Sequence, residues 1–122
     1  MPLTYHIDKS NNIMTCDLSG YCDIGTINEL RNSLRTDPDF SPDINLLFNL
    51  LDVTELDLSN AEFQEIADNS PMSKSARRAY VVPTEKMFGM LRIFAGHSDA
   101  EAGGFQVFRQ LEDAREWLGL DE

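Results

Sequence analysis

Ile44, Leu46, Leu47, Phe48, Leu50 and Leu51 make one almost continuously apolar run, broken only by Asn45 and Asn49. A strand apolar on both faces must be covered on both faces, which places it in the middle of a mostly parallel sheet. The chain then passes through Asp52-Val53-Thr54-Glu55-Leu56-Asp57-Leu58 into Ser59-Asn60-Ala61-Glu62, a capping-box pattern that opens a helix. The spacing predicts a strand over 44–51, a loop over 54–60 and a helix beyond it with Phe63, Ile66 and Ala67 inward. Open α/β sheets place their binding sites in the loops at the carboxyl ends of such strands.

The flanking segments complete that sheet. Leu3, Tyr5 and Ile7 alternate with Thr4, His6 and Asp8, and Met14, Cys16 and Leu18 alternate with Thr15, Asp17 and Ser19. Lys9-Ser10-Asn11-Asn12 between them is turn chemistry, so the chain opens with a β-hairpin whose second strand ends at Gly20. Ile24, Ile27, Leu30 and Leu34 recur at helical steps, giving an amphipathic helix that Pro38 and Pro42 terminate. Asn69-Ser70-Pro71 stops the second helix, and Arg77–Val82 is the next strand, closed by Pro83. Thr84 caps a third helix over 85–95. A linker over 96–104, a strand over 105–108 and a helix bearing Leu111, Ala114, Trp117 and Leu118 finish the chain. The order β-β-α-β-α-β-α-β-α is that of one α/β domain over residues 1–122. It predicts a mixed, mostly parallel sheet of about five strands with four helices.

Charge narrows the function. The net charge of −11 argues against nucleic acid, which binds through Lys and Arg on its phosphates. Between Arg35 and Lys74 there is no basic residue, while Asp37, Asp39, Asp43, Asp52, Glu55, Asp57, Glu62, Glu65 and Asp68 all fall there. Such a stretch either steers a basic partner or serves as solvated surface. No apolar run reaches the roughly 18 residues of a membrane span, and no signal-peptide pattern is present, so a cytoplasmic address is expected. Cys16 and Cys22 lack metal or redox spacing, and Cys16 alternates with apolar neighbours as a small buried hydrophobe. With His6 and His97 isolated, no metal or cofactor is expected.

The string Leu18-Ser19-Gly20-Tyr21-Cys22-Asp23, followed by a helix and then by Asn49-Leu50-Leu51-Asp52-Val53-Thr54-Glu55-Leu56-Asp57-Leu58-Ser59-Asn60, resembles the sulfate-transporter and anti-sigma-factor-antagonist (STAS) domain. The carboxyl half, with Arg77–Val82, Phe88-Gly89-Met90-Leu91-Arg92, Val107-Phe108-Arg109 and Glu112–Leu118, is similar to the SpoIIAA-like branch, also described as STAS/Sec14-like. The resemblance implies a SpoIIAA-like open (βα) superhelix and a regulatory role in binding partner proteins. Sec14-related relatives enclose lipids, which implies the alternative of a carrier or sensor for a small apolar ligand. In signalling members the first serine of a D-S-S-G loop accepts phosphate. Here Asp57 matches the aspartate, but Leu58 stands at the acceptor position and Asn60 at the glycine. Leucine has no hydroxyl, so that switch cannot operate at Leu58. Ser59 is explained by helix capping; a phosphate there would gain from the helix N-terminus and be opposed by Glu55, Asp57 and Glu62.

Two regions emerge as candidate sites. Thr54, Glu55, Asp57, Ser59, Asn60 and Glu62 form the expected partner-binding loop and helix start. The third helix carries Met87, Phe88, Met90, Leu91, Ile93 and Phe94, apolar nearly all round. Such a helix packs in a homodimer, lines an apolar ligand cavity, or is covered by the following linker and the closing helix. Gly89 permits close approach of another backbone. Arg92 reads as a surface ion-pair partner, and Lys74, Arg77 and Arg78 form the single basic cluster. No nucleophile elbow, phosphate loop or H-E-x-x-H motif is present, and no histidine, lysine or hydroxyl is spaced to serve Asp52, Glu55 or Asp57 in acid–base work. The chain is therefore expected to be non-enzymatic.

Overall fold

Asp8 shapes the first turn. Its carboxylate accepts hydrogen bonds from the Ser10 and Asn11 backbone N–H groups, the Ser10 hydroxyl and the Asn11 amide, at 2.7–3.3 Å. Asn12 adopts a left-handed φ of 55°, a conformation asparagine tolerates. In the computed structural model, which describes residues 3–68, 76–97 and 104–120, this turn joins β1 (Leu3–Asp8) to β2 (Ile13–Asp23) as an antiparallel hairpin.

The remaining elements are α1 (Ile24–Thr36), β3 (Asn45–Asp57), α2 (Asn60–Asp68), β4 (Arg78–Val81), α3 (Glu85–His97), β5 (Phe105–Phe108) and α4 (Leu111–Trp117). The sheet is ordered β1-β2-β3-β4-β5, antiparallel only at its first pair, with β3 in the centre as its two-sided apolar pattern requires. α1 starts where expected. Asp23 accepts the Thr26 N–H at 3.2 Å while Thr26 Oγ1 accepts the Asp23 N–H at 3.4 Å, a complete capping box.

Strand order explains the layers. Sequential parallel strands joined by crossovers of one hand put every crossover helix on the same face. That face holds the larger core, with Met14, Cys16, Leu18, Leu46, Phe48 and Leu50 from the strands, Leu30 and Leu34 from α1, and Met87 and Leu91 from α3. Residues of opposite parity, Ile13, Leu47, Ala79 and Val81, point the other way, where Ala114 and Leu118 cover them. α4 follows the last strand and is not a crossover, so nothing confines it to the three-helix face. The closing helix therefore does not cover α3, against one of the three expected arrangements.

Several boundaries also differ from expectation. β2 does not end at Gly20; it continues to Asp23 with Gly20 at a φ of 72° inside it. β3 does not end at Leu51 but runs to Asp57, so Thr54, Glu55 and Asp57 belong to a strand rather than a loop. α1 extends to Thr36, and α3 to His97, taking two residues assigned to the linker. The expected stop at Asn69-Ser70-Pro71, most of the 96–104 linker and Lys74 lie outside the described residues.

The basic pair at β4 is structural. Arg77 donates from Nη1 to the Trp117 carbonyl at 2.8 Å with its guanidinium 5.6 Å from the Trp117 ring centre, tying β4 to α4. Arg78 is buried and donates from Nε to the Gly104 carbonyl at 3.3 Å, tying β4 to the start of β5.

Candidate functional site

β2 and β3 outrun their neighbours. Pairing of β1 with β2 reaches only Leu18, and pairing of β3 with β4 stops at Asn49 with Val81. Beyond those points, among the described residues, Ser19–Asp23 and Asp52–Asp57 pair only with each other, as a two-stranded parallel arm. Its register slips twice. From Asp17 to Ser19, β2 advances two residues while β3 advances three, and from Gly20 to Tyr21 β2 advances one while β3 advances two. Each slip is a bulge carrying one extra residue on β3. The inward residues Leu50, Val53 and Leu56 thus recur every third position, all buried.

The outward side of the arm is unusual. Tyr21, 49% exposed, and Leu51, 36% exposed, are the exposed large hydrophobic residues among those described. Tyr21 pairs in register with Glu55 and Asp23 with Asp57, so carboxylates crowd the tip. The Tyr21 hydroxyl donates to the Asp57 carboxylate. That hydrogen bond, with desolvation and the negative charges of Asp57, Asp23 and Glu55, pushes the phenol up to about 12.

At the end of the arm α2 begins as its sequence predicts. The Ser59 N–H donates to Glu62 Oε1 at 2.9 Å, and Ser59 Oγ accepts the Glu62 N–H at 3.1 Å. Glu62 is therefore committed to the cap, leaving Glu55 and Asp57 as the outward carboxylates of the expected site. Arg31 of α1 holds the far end of α2, donating to the Ile66 carbonyl at 2.8 Å and to Glu65 at 3.3 Å. Arg31 falls outside the apolar stripe of Ile27, Leu30 and Leu34, yet it is buried.

α3 faces the arm across a groove of about 310 Å3 lined by Thr54, Glu55, Leu56, Asp57, Thr84, Lys86, Met87 and Met90. Thr84 caps α3 as expected, its Oγ1 accepting the Met87 N–H at 3.1 Å. Arg109 braces the same end, donating to Glu85 at 2.7 Å and to the Pro83 carbonyl at 3.1 Å. The two sets of expected site residues thus meet: Met87 and Met90 share a groove with Thr54, Glu55 and Asp57.

Leu91 does not join them. It lines a separate cavity of about 50 Å3 under α1, α2 and α3, together with Cys22, Ile27, Phe48, Leu50, Leu56, Leu58, Ile66 and Tyr80. Phe88 is half-buried, with the Arg92 guanidinium 5.6 Å from its ring centre. A Cβ at Gly89 would meet nothing within 4 Å, so among the described residues no backbone from outside α3 approaches there. The side chains of Phe63, Ala67, Ile93 and Phe94 lie outside the described residues.

Cys16 and Cys22 are buried free thiols, pushed up by burial to about 12 and about 11. Among the described residues, no group of three or more His, Cys, Asp or Glu could hold a metal ion, and no helix is long and apolar enough to cross a membrane. Tyr21 and Leu51 were not singled out from sequence. Their signal was present as bulky apolar residues amid Asp23, Asp52, Glu55 and Asp57, a mixture that neither core nor ordinary surface explains.

No family profile and no curated protein matches the sequence. Among solved structures, the chain is similar to an uncharacterised protein of the DUF3478 family with a SpoIIAA-like fold from Shewanella loihica PV-4. The TM-score is 0.63 at 19% identity, over 95% of this chain and 93% of that one. This α/β chain, with its antiparallel first pair, parallel sheet and four helices, has the SpoIIAA-like fold that its resemblance to STAS domains implies.

Proposed function

We propose that this chain is a non-enzymatic regulatory module that docks a basic protein partner on the acidic arm of β2 and β3 and the adjoining start of α2. The observation that carries this reading is the coincidence, on one projecting arm and at its base, of exposed Tyr21 and Leu51 with the exposed carboxylates of Asp52, Glu55 and Asp57. Aromatic and aliphatic anchors ringed by charge of one sign suit recognition of an oppositely charged surface. Control by phosphate at Leu58 has no chemical basis here, so docking is constitutive at that position or governed by the partner.

The clean variant is Glu55→Lys, because Glu62→Lys would also break the α2 cap. Affinity capture from native-host lysate is compared for the wild type, Glu55→Lys and the exposed α4 control Glu116→Lys. Proteins retained by wild type and control but lost from Glu55→Lys support the reading. Identical capture by all three overturns it.

A carrier of small apolar molecules is the second reading, favoured by the almost entirely apolar lining of the cavity under α1, α2 and α3. Its volume of about 50 Å3 is far below the roughly 300 Å3 at which small-molecule pockets begin. A lipid-like ligand therefore requires outward movement of α2 or α3. Native mass spectrometry of gently purified protein tests this reading, since a stoichiometric adduct supports it and a bare chain mass removes it. The same spectrum reports whether the chain forms a homodimer, and loss of the dimer in a Phe88→Ser variant would assign it to α3.

A further inference from the structure

We infer that the open edge of β3 from Asp52 to Asp57 receives an extended, lysine- or arginine-bearing segment of a partner protein as a third strand, laid in the groove between β3 and α3. The inference rests on the reading of the arm as a docking surface and specifies how the partner binds.

Pairing supplies the first reason. Among the described residues no strand lies beside β3 on its β4 side after Asn49, although β3 continues to Asp57. Parallel strands almost always lie inside covered sheets, and isolated two-stranded pairs are marginal. An arm of two parallel strands is thus an incomplete sheet whose backbone groups on one side await partners. Six residues of strand offer an edge of roughly 20 Å, enough to pair with a segment of similar length.

The groove supplies the second. Its walls alternate in character: Leu56, Met87 and Met90 form an apolar floor, while Glu55 and Asp57 line the strand side. An added strand points alternate side chains in opposite directions, so one set reaches the methionine floor and the other meets the carboxylates. Methionine adapts to varied apolar shapes, which suits a groove that reads polarity more than outline.

Charge selects the occupant. Asp23 lies in register with Asp57, and Tyr21 with Glu55, so the arm already sets acidic groups side by side. Like charges on neighbouring strands destabilise pairing. A second copy of this chain, with its net charge of −11, would add to that repulsion, whereas a cationic strand relieves it. The bulges and carboxylates that keep the edge from pairing with itself leave it open to a strand of opposite charge. Among the described residues, Lys86 is the one cation lining the groove.

The test uses the full chain and a capped octapeptide alternating lysine and valine, with two controls: the same peptide N-methylated at alternate residues, and a glutamate–valine counterpart. Binding is measured by calorimetry at low salt and amide exchange by NMR. The inference expects the lysine peptide to bind and to slow exchange within 52–57, N-methylation to weaken it about tenfold or more, and the glutamate peptide not to bind. Equal binding of the N-methylated peptide overturns strand addition while leaving acidic docking in place. Absence of lysine-peptide binding, or protection confined to other residues, also overturns it. Exchange protection of the arm that grows with protein concentration in the absence of peptide names a second copy as the occupant and overturns it as well. The Glu55→Lys capture experiment judges the docking surface independently, so the two ideas fail separately.

Discussion

The inner and outer halves of β3 share one strand and obey different rules. From Leu46 to Asn49 it lies between β2 and β4, with Leu46 and Phe48 under the three-helix face and Leu47 against the α4 face. From Asp52 to Asp57, among the described residues, it pairs only with β2, buries every third residue and turns carboxylates to solvent. The inner half is held by burial on two sides; the outer half has one covered side and one open edge. Their difference separates the part of the sheet enclosed on both edges from the part left open along one.

The largest expected contrast is energetic. Leu47→Ala is expected to cost about 3 kcal/mol, since a fully buried leucine leaves both its transfer energy and a cavity behind. Urea denaturation with an unchanged m-value reports it; a cost under about 1 kcal/mol would mean the α4 face contributes little. The two cysteines sharpen the comparison, because Cys16 pairs with β1 and β3 in the inner sheet while Cys22 sits on the arm. Both thiols are expected to resist labelling in the native state, with Cys22 reacting faster by about tenfold or more as the arm opens about 1.4 kcal/mol below global unfolding. Equal rates would show arm and inner sheet opening as one unit.

At the tip, Ser59→Ala is expected to cost about 1 kcal/mol through loss of the α2 cap, read as a shift in denaturation midpoint. The tyrosines distinguish the regions by pH. Tyr5, raised to about 12 first by burial and then by its 2.8 Å hydrogen bond to Asp37, belongs to the inner sheet. Tyr21 is raised to a similar value first by its hydrogen bond to Asp57. A phenol raised in the folded state favours folding in full below its ordinary value near 10, and that contribution disappears as pH climbs through about 12. Asp57→Asn is expected to return Tyr21 toward 10 and leave Tyr5 in place, as followed by phenolate absorbance or NMR. The smallest effect is expected at Leu51→Ala, within about 0.5 kcal/mol for stability, because an exposed side chain at the base of the arm has little to lose. A larger loss would place Leu51 in the core rather than on a docking surface.

The element order was legible because most segments keep one apolar period. Leu3, Tyr5 and Ile7 alternate, Ile27, Leu30 and Leu34 repeat helically, and Thr84 and Ser59 announce their helices. The length of β3 was not legible for a physical reason. Two bulges place Leu50, Val53 and Leu56 three residues apart, which breaks the period of two that marks a strand, and the acidic residues between them imitate a loop. Gly20 misled in the same way, since a left-handed glycine marks a bulge as readily as a strand end. The face taken by α4 has no local signature, because Ala114 and Leu118 suit either side of a sheet. Of the candidate site, the carboxylates and methionines were readable as residues, while their meeting in one groove depends on how far the arm projects.

Each strand lies beside its neighbour in sequence, so no segment must wait for a distant one before it pairs. Links such as Asn49 to Asp17 and Arg77 to Asn45 each close a loop of 32 residues. The molecule can be laid down in the order of its synthesis, every βα unit docking on an edge already built as the chain leaves the ribosome.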